Sequence, residues 1–342
     1  MMYNVLISAV GGDIGQGILK SLRKVSPRLK IIGCDMNPDS PGVFLCDKGY
    51  IVAGAKNKPK KYIKDIIRIC KKEKIDIVFS AQPYELNVLS AMQDTLQKKT
   101  GAYFVVQSKE VWGLSMDKLL TYHFLKKTGI RSPETYSSKK GFDILAKKYG
   151  YPLLIKARTS FGSGFHNYEL VNTKKEFKKI WKRSKNLIIQ EYITNKNNEE
   201  YTVGVFLDKK SKALGAITML RQLRFGLTFH AIVDDYPDIA AVAVKAAESI
   251  QAVGPCNVQL RKDNKDKPCV IEINARISST TAFRSHFGFN EARACIDYFL
   301  NDTTPRLSYK KGIAMKSWDE VYVLPSDYNN LKKKGFYVKT AH

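Results

Sequence analysis

A strand in the last third of the chain carries polar side chains at every second position. Its segment VIEINAR places Glu272, Asn274 and Arg276 among apolar residues. Because alternate side chains of a strand share one face, an acid, an amide and a cation are expected in a row. An ordinary exposed strand face can carry the same residue types, so a chemical role needs support from other segments.

A second strand is expected to extend this polar face. NVQLRK and PCVIEINAR are both strand-like and are joined by the polar turn DNKDK, which predicts a hairpin with Gln259 near Glu272. Oxygen atoms of Gln259, Glu272 and Asn274 suit Mg²⁺, a hard ion that is commonly held by few protein groups together with substrate phosphates. Arg276 is then expected to stabilise the charge of a phosphoryl group during its transfer.

Segments upstream carry groups suited to the rest of a nucleotide. The strand PLLIKA contains Lys156 and leads into RTSFGSG, whose backbone N–H groups can surround phosphate oxygens beside the lysine. This loop is not a Walker A sequence, and a plain surface turn is the alternative. QEYI (190–193) ends a strand where backbone groups can pair with an adenine edge, and Glu200 can accept both ribose hydroxyls. A strand end and a solvated acid are the alternatives there.

The ordered set of these segments resembles the ATP-grasp superfamily, with the carbamoyl-phosphate-synthase-like branch as the nearest likeness. The matching segments are DK (117–118), LLIK with its Gly/Ser loop, QEYI, EYTV, NVQL and VIEINAR, and the likeness covers about residues 1–300. It implies a Rossmann-like pre-ATP-grasp domain followed by a two-lobed ATP-grasp fold. ATP and Mg²⁺ are the implied cofactors, with Mn²⁺ as a substitute metal.

The resemblance also implies a role for each matching residue. Lys118 and Lys156 are expected to contact the ATP phosphates, and Glu200 to hold the ribose. The other implied roles are the lid (Ser160, Gly162, Ser163 and Gly164), the adenine hinge (Glu191, Tyr192 and Ile193), the Mg²⁺ ligands (Gln259, Glu272 and Asn274), and Arg276 at the phosphoryl or acyl-phosphate site.

Two departures from the family pattern bear on the substrate. Ala275 stands where family strands often have proline, and serines stand at 278–279, near where carbamoyl phosphate synthases tend to place a second arginine. The missing arginine argues against bicarbonate as substrate. Arg221 and Arg224 are candidates for a catalytic, anion-binding role instead, and Arg284 is a third candidate; solvated or structural arginines are the alternative.

The order of strands and helices predicts the domain organisation. Their alternation over the first hundred residues predicts parallel strands with crossover helices, an α/β domain, and the part after it is predicted to be α+β. Ser115 is expected to cap a helix that stops at Gly129. The predicted domains are residues 1–110 (pre-ATP-grasp), 111–187 (small lobe with the lid), 188–300 (large lobe with the Mg·ATP site) and 301–342 (basic extension).

The bulk composition narrows the classes of function. The 342 residues include 57 basic and 32 acidic side chains, for a formal net charge of +25. The basic residues are spread along the chain without interleaved aromatic residues, which is typical of solvated lysine-rich faces rather than of a nucleic-acid surface. No apolar run reaches the roughly 18 residues of a membrane span, and the first residues predict a β-strand rather than a signal peptide. We therefore expect a cytoplasmic protein.

Together these patterns predict an ATP-dependent ligase that joins a small-molecule carboxylate to an amine through an acyl phosphate. A homodimer is left open, and no specific nucleic acid is expected as a partner. Two alternatives are an NAD-dependent oxidoreductase and a polyanion-binding protein. The first would use the turn GGDIGQG and Asp35, although no frame of that turn gives GxGxxG. The second would bind nucleic acid with a steep dependence on salt.

Overall fold

The computed structural model of the protein describes residues 3–24, 29–80, 82–159, 168–195 and 197–339. Its internal contacts divide the chain into two compact units. The first comprises Met1–Trp112, Arg276–Lys310 and Ala314–His342, and the second comprises Gly113–Ala275 and Lys311–Ile313. The four-part division predicted from the sequence follows chain order, whereas these units are defined by contacts between distant segments. That division therefore stays a prediction.

Strands and helices alternate along the first part of the chain. They are β1 (Asn4–Ser8), α1 (Asp13–Leu22), β2 (Lys30–Asp35), α2 (Pro41–Phe44), β3 (Lys48–Ile51), α3 (Pro59–Glu73), β4 (Ile77–Phe79), α4 (Pro83–Ser90), α5 (Gln93–Thr100), β5 (Tyr103–Val105) and α6 (Lys109–Met116). The next group is α7 (Lys118–Lys127), β6 (Thr135–Tyr136), α8 (Lys139–Tyr149), β7 (Leu153–Ala157), β8 (Glu169–Val171), α9 (Lys174–Trp181) and β9 (Leu187–Glu191).

The remaining elements are longer strands and a few helices. They are β10 (Glu200–Leu207), β11 (Ala213–Arg224), β12 (Leu227–Val233), α10 (Pro237–Ser249), β13 (Gly254–Lys262), β14 (Pro268–Asn274), α11 (Thr281–His286), α12 (Glu291–Phe299), β15 (Gly312–Met315), α13 (Pro325–Lys334) and β16 (Phe336–Val338). No helix among the described residues is long and apolar enough to cross a membrane.

The first unit is built on a sheet with the strand order β16-β3-β2-β1-β4-β5. Strands β1 to β5 pair in parallel, and β16 joins β3 antiparallel. The direction in which strands are added reverses between β1 and β4, which makes a switch point where α/β sheets commonly bind ligands. The α/β domain predicted from the sequence is thereby confirmed.

Helix α3 shows how the sequence forms the elements that cover this sheet. Pro59 stands at its first turn, where a missing N–H costs nothing, and Tyr62, Ile66 and Ile69 recur at helical spacing. These three side chains are fully buried in the core of the first unit. Lys74, in the left-handed region at φ 50°, ends the helix.

The second unit contains a large antiparallel sheet and a smaller one. Their strand orders are β14-β13-β10-β11-β12-β15 and β6-β9-β7-β8. Helix α10 packs against the large sheet beside β10, β13 and β14. The predicted hairpin is present as β13 and β14, with Gln259 directly opposite Glu272. Because the hairpin partners are close in sequence, the turn between them fixes this pairing locally.

The start of the helix after Ser115 differs from the prediction. Helix α6 runs through Ser115, and Asp117 caps the following helix α7 instead. Its Oδ1 accepts hydrogen bonds from the backbone N–H groups of Leu119 and Leu120 at 3.0 and 3.1 Å. A carboxylate also complements the positive end of the helix dipole, which a serine hydroxyl does less well. The helix ends before Gly129 (φ 69°), as predicted.

Candidate active site

Lys156 lies at the centre of the residues that the sequence assigned to a nucleotide. It is a half-buried residue of β7, and the charges that act on it come from Lys118, Glu272, Glu200 and Arg261. Burial and, second, the positive charge of Lys118 lower the pKa of Lys156 to about 8. An anion bound near the two lysines would offset both effects. This environment therefore favours phosphate binding.

Lys118 lies close to one of the predicted metal ligands. As the first residue of α7, it is positioned by the Asp117 cap. Its Nζ lies 3.6 Å from Oε1 of Glu272 on β14. Both side chains are mostly shielded from solvent, with exposed fractions of 15% and 28%. The structure thus brings Lys118, Lys156 and Glu272 together from three separate elements.

The three predicted metal ligands belong to the same hairpin. Gln259 and Glu272 are cross-strand partners, and Asn274 is paired with Asn257 two positions further along. One carboxylate and two amide oxygens are hard donors that fit Mg²⁺, with ATP phosphates as the remaining ligands. Because one ligand is charged, metal binding is expected to depend strongly on the nucleotide. Among the described residues, no three His, Cys, Asp or Glu side chains form another metal-binding group.

Glu200 stands in a row of three charged residues that crosses three strands. In the pairing of β10 with its neighbours, Glu200 is opposite Arg221 on β11 and Arg261 on β13. The Nε of Arg221 lies 3.1 Å from Oε1, and the Nε of Arg261 lies 3.1 Å from Oε2. Burial alone would raise the pKa of Glu200, but the two guanidinium groups hold it below its ordinary value. Glu200 is therefore ionised and fixed in orientation.

The predicted adenine hinge begins at Glu191, the last residue of β9. The carboxylate of Glu191 forms an ion pair with Arg131, so this side chain has a structural partner within the unit. The Ile193 carbonyl accepts a hydrogen bond from Nη1 of Arg261 at 3.4 Å. The same guanidinium lies 5.7 Å from the ring centre of Tyr192. The hinge segment is thereby linked to the sheet that carries Glu200.

The remaining predicted residues are the lid and three arginines. Ser160, Gly162, Ser163 and Gly164, the predicted lid, lie outside the described residues. Arg224 lies at the exposed end of β11, 5.3 and 5.2 Å from the rings of Phe225 and Phe229. Arg276 belongs to the first unit, where its Nη1 donates to the Ile277 carbonyl at 2.9 Å. Arg284 is buried and paired with Glu291 at 2.9 Å, which is a structural role.

Arg261 is the residue of this group that the sequence analysis missed. It stands two positions after Gln259 and therefore on the same side of the strand, which was the available signal. An arginine two residues beyond a proposed ligand has no motif of its own, and its partner Glu200 is 61 residues away in sequence. Only the pairing of β10 with β13 shows the contact.

The first unit contains a cleft at the carboxyl ends of its parallel strands. Its volume is about 700 Å³, and residues following β1, β2, β3 and β4 line it. Glu85 lies in this lining, and its Oε2 accepts hydrogen bonds from the hydroxyls of Ser8 and, at 2.9 Å, Ser80. Burial raises the pKa of Glu85 to about 7. Lys56 and Lys58 add positive charge to the same lining.

Asp35 bears on the NAD alternative. In a dinucleotide-binding domain the acid at the end of the second strand bonds the ribose hydroxyls. Here Oδ2 of Asp35 accepts from the Gly11 N–H and Oδ1 from the Asn37 N–H, both at 3.0 Å. The carboxylate thus holds two loops of its own domain together, which is a structural role for Asp35 and not a cofactor-binding one.

Two family models match the chain. Residues 5–102 match a PylC-like N-terminal domain, and residues 183–321 match the ATP-grasp domain described as belonging to a biosynthetic pathway with the Ter operon. The second match covers the region in which the sequence predicts the large ATP-grasp lobe. The predicted fold class and the predicted likeness to ATP-grasp enzymes are thereby confirmed. Solved structures of this fold include complexes with ADP and MgADP, in line with the predicted cofactors. No curated protein matches the sequence.

Several solved structures share the fold of this chain at low sequence identity. N5-carboxyaminoimidazole synthetase from Staphylococcus aureus, complexed with ADP, has a TM-score of 0.72 and 17% identity over 98% of this chain and 86% of its own. Biotin carboxylase from Campylobacter jejuni has a TM-score of 0.67 and 19% identity, and the match covers 87% of this chain and 70% of its own. L-amino acid ligase from Bacillus licheniformis has a TM-score of 0.65 and 16% identity, and the match covers 86% of this chain and 73% of its own.

Proposed function

We propose that the protein is an ATP- and Mg²⁺-dependent ligase that converts a substrate carboxylate into an acyl phosphate and transfers the acyl group to an amine. The observation that carries this proposal is the grouping of Lys118, Lys156 and Glu272, with Glu200 acting on the same lysine. A phosphate-binding pair of lysines beside hard oxygen ligands is what phosphoryl transfer from ATP requires.

The reaction would proceed in two steps. A carboxylate oxygen attacks the γ-phosphorus of ATP, and the bond to the β,γ-bridging oxygen breaks, which releases ADP. The amine nitrogen then attacks the acyl carbon, phosphate leaves with the bonding electrons, and the nitrogen loses a proton. Lys118 and Lys156 would hold the phosphates, and Gln259, Glu272 and Asn274 would hold Mg²⁺, which supplies charge neutralisation when bound. Catalysis of this kind needs positioning and electrostatics rather than a protein nucleophile.

The cleft of the first unit is proposed to bind one of the small-molecule substrates. Ligand sites favour concave regions at the switch point of a parallel sheet, and this cleft is large enough for a metabolite. Its lining offers a carboxyl group with a raised pKa, Glu85, beside two lysines, Lys56 and Lys58. These groups suit a ligand with both an amine or hydroxyl donor and an anionic group.

The remaining parts of the proposal concern setting and partners. The substrates would be a small-molecule carboxylate and a small-molecule amine. The protein would act in the cytoplasm and would have no nucleic-acid partner. Mn²⁺ would replace Mg²⁺, and a homodimer is compatible with the proposal. Glu191, Tyr192 and Ile193 would receive adenine, Glu200 the ribose, and Arg221, Arg224 and Arg276 would act on the substrate anion or the transferred phosphoryl group. The segment from Ser160 to Gly164 would form the lid.

Phosphate release tests the proposal directly. The protein is incubated with Mg·ATP and a matrix of carboxylates and amines, and Glu272→Gln is tested in parallel. We expect release that requires both a carboxylate and an amine and that is lost in the variant. Arg23→Ala, which removes a surface ion pair with Asp47 in the first unit, serves as the control and should keep wild-type release. Tight NAD(H) binding without ATP binding, measured by calorimetry, would overturn the proposal.

A further inference from the structure

One guanidinium group, that of Arg261, connects the ribose and adenine ends of the proposed nucleotide site. Its Nε and Nη2 donate to Oε2 of Glu200 at 3.1 and 2.8 Å. Its Nη1 donates to Oδ1 of Asn198 at 2.8 Å and to the carbonyl of Ile193 at 3.4 Å. Its Cζ also lies 5.7 Å from the ring centre of Tyr192. A single side chain on β13 thus holds both a carboxylate on β10 and the segment that follows β9.

The location of this contact makes it more than a surface ion pair. The exposed fractions of the Arg261 and Glu200 side chains are 13% and 10%. In such a shielded place an ion pair is screened little by solvent and depends on exact geometry. The pair is also anchored from the other side, because Arg221 binds the second oxygen of the same carboxylate. Glu200 is therefore held with a fixed position and direction.

An arginine is suited to this task in a way that a lysine is not. The planar guanidinium presents N–H groups in several fixed directions, so it can reach Glu200, Asn198 and Ile193 at once. A lysine ammonium carries the same charge but lacks the planar fork, so it is expected to keep the pair with Glu200 and lose the link to the hinge.

We propose that Arg261 is a positioning residue for the nucleoside part of ATP, which sets Glu200 and the segment 192–193 in the arrangement that binds ribose and adenine. This inference rests on the proposed function, in which these groups hold adenosine. It assigns a role to Arg261, which had none, and it predicts that this residue affects the binding of the nucleoside part of the ligand.

The test compares ligands that differ in the number of phosphates. Dissociation constants of adenosine, ADP and Mg·ATP are measured by competition with a fluorescent nucleotide for wild type, Arg261→Ala, Arg261→Lys and Lys156→Met. Arg261→Ala should weaken all three ligands by a similar factor of about tenfold or more, the effect of losing a hydrogen bond to a charged group. Lys156→Met should weaken ADP and ATP far more than adenosine. Arg261→Lys should recover part of the loss.

Steady-state kinetics provide the second readout. Arg261→Ala should raise KM for ATP with kcat nearly unchanged, because an interaction with the nucleoside is the same in the ground state and the transition state. A loss that grows with the number of phosphates, a fall in kcat at unchanged KM, or no effect on any ligand would overturn the inference. Thermal unfolding confirms that each variant is folded, and Arg261→Lys carries the same test if the alanine variant does not fold.

A deoxynucleoside separates this inference from the proposed function. If wild type binds adenosine and 2′-deoxyadenosine equally, the ribose role of Glu200 is wrong. The Arg261 inference then depends on the hinge alone. In that case Arg261→Ala should weaken the binding of 2′-deoxyadenosine, and unchanged binding would overturn the inference. If wild type prefers adenosine and Arg261→Ala keeps the full preference at unchanged affinity, the proposed function survives and the inference fails.

Discussion

ATP binding should draw a proton onto Lys156 at alkaline pH. Burial and the charge of Lys118 lower the pKa of Lys156 to about 8. Bound phosphates supply negative charge that favours the protonated lysine and raises its pKa again. Above pH 8 the free protein therefore lacks the proton that the complex holds. By linkage, affinity for ATP falls as pH rises through this range.

The size of the effect follows from the lowered pKa. With a pKa of about 8, Lys156 is about half unprotonated at pH 8, about 0.9 unprotonated at pH 9, and about 0.1 at pH 7. The expected uptake is therefore about 0.5 proton per ATP bound at pH 8 and about 0.9 at pH 9. Phosphate groups titrate near pH 6, so ATP itself contributes little in this range. The dissociation constant should approach a tenfold rise per pH unit above pH 8.

Calorimetry in buffers of different ionisation enthalpy measures the uptake directly. Wild type is compared with Lys156→Arg, whose guanidinium stays charged at these pH values. The variant should bind ATP without taking up this proton. Lys174→Arg is the matched control, because Lys174 is an exposed residue of the same unit that pairs with Asp143. It should leave the uptake unchanged.

Two results would refute this reasoning. Uptake well below half a proton at pH 9 in wild type would show that Lys156 has an ordinary pKa or lies away from the phosphates. Uptake that persists in Lys156→Arg would show that another group titrates. In a related measurement, Lys156→Ala should weaken the binding of ATP and ADP more than that of adenosine. Equal weakening of all three ligands would place this lysine elsewhere in the site.

Three further predictions address other residues. Glu272→Gln should leave the fold intact and reduce ATP-dependent phosphate release by about 10²-fold, because the metal loses its charged ligand; release within a few-fold of wild type would contradict the metal assignment. Because burial raises the pKa of Glu85 to about 7, this carboxyl group keeps its proton in the folded protein at pH values where the unfolded chain has lost it. The free energy of unfolding should therefore fall by up to about 3 kcal/mol as the pH rises from 4.5 to 7. Denaturant titrations of Glu85→Gln should lack this slope, and an unchanged slope would assign it to other groups. Arg276→Lys should lower kcat by about 10²-fold with nearly intact Mg·ATP affinity, whereas loss of ATP binding at unchanged kcat would make Arg276 a nucleotide anchor.

Local pattern was enough to predict the parts of the site that lie within one element. The alternation in VIEINAR and the short turn before it predicted the β13–β14 hairpin and the pairing of Gln259 with Glu272, and the structure confirms both. The α/β order of the first hundred residues predicted the parallel sheet in the same way. These features depend on residues close in sequence, so periodicity and turn chemistry carry the information.

Helix boundaries show the limit of this local information. Ser115 and Asp117 are both good capping residues, and the sequence alone favoured the first. The structure continues α6 through Ser115 and uses Asp117, whose Oδ2 also pairs with Nε of Arg158 at 2.7 Å. That second contact comes from a residue 41 positions away. A tertiary interaction thus decides between two caps of similar local strength.

The sequence by itself determined the residue types of the site, the order of its segments and the family they resemble, because each motif is short and self-contained. Tertiary structure decided which of these residues meet. It set Arg221, Glu200 and Arg261 in one row through the register of three strands. It also lowered the pKa of Lys156, first by burying this side chain and second by bringing Lys118 close to it from another element. It also joined Arg276–Lys310 to the first unit. Register, burial and charge proximity depend on residues far apart in the chain, and no local pattern records them.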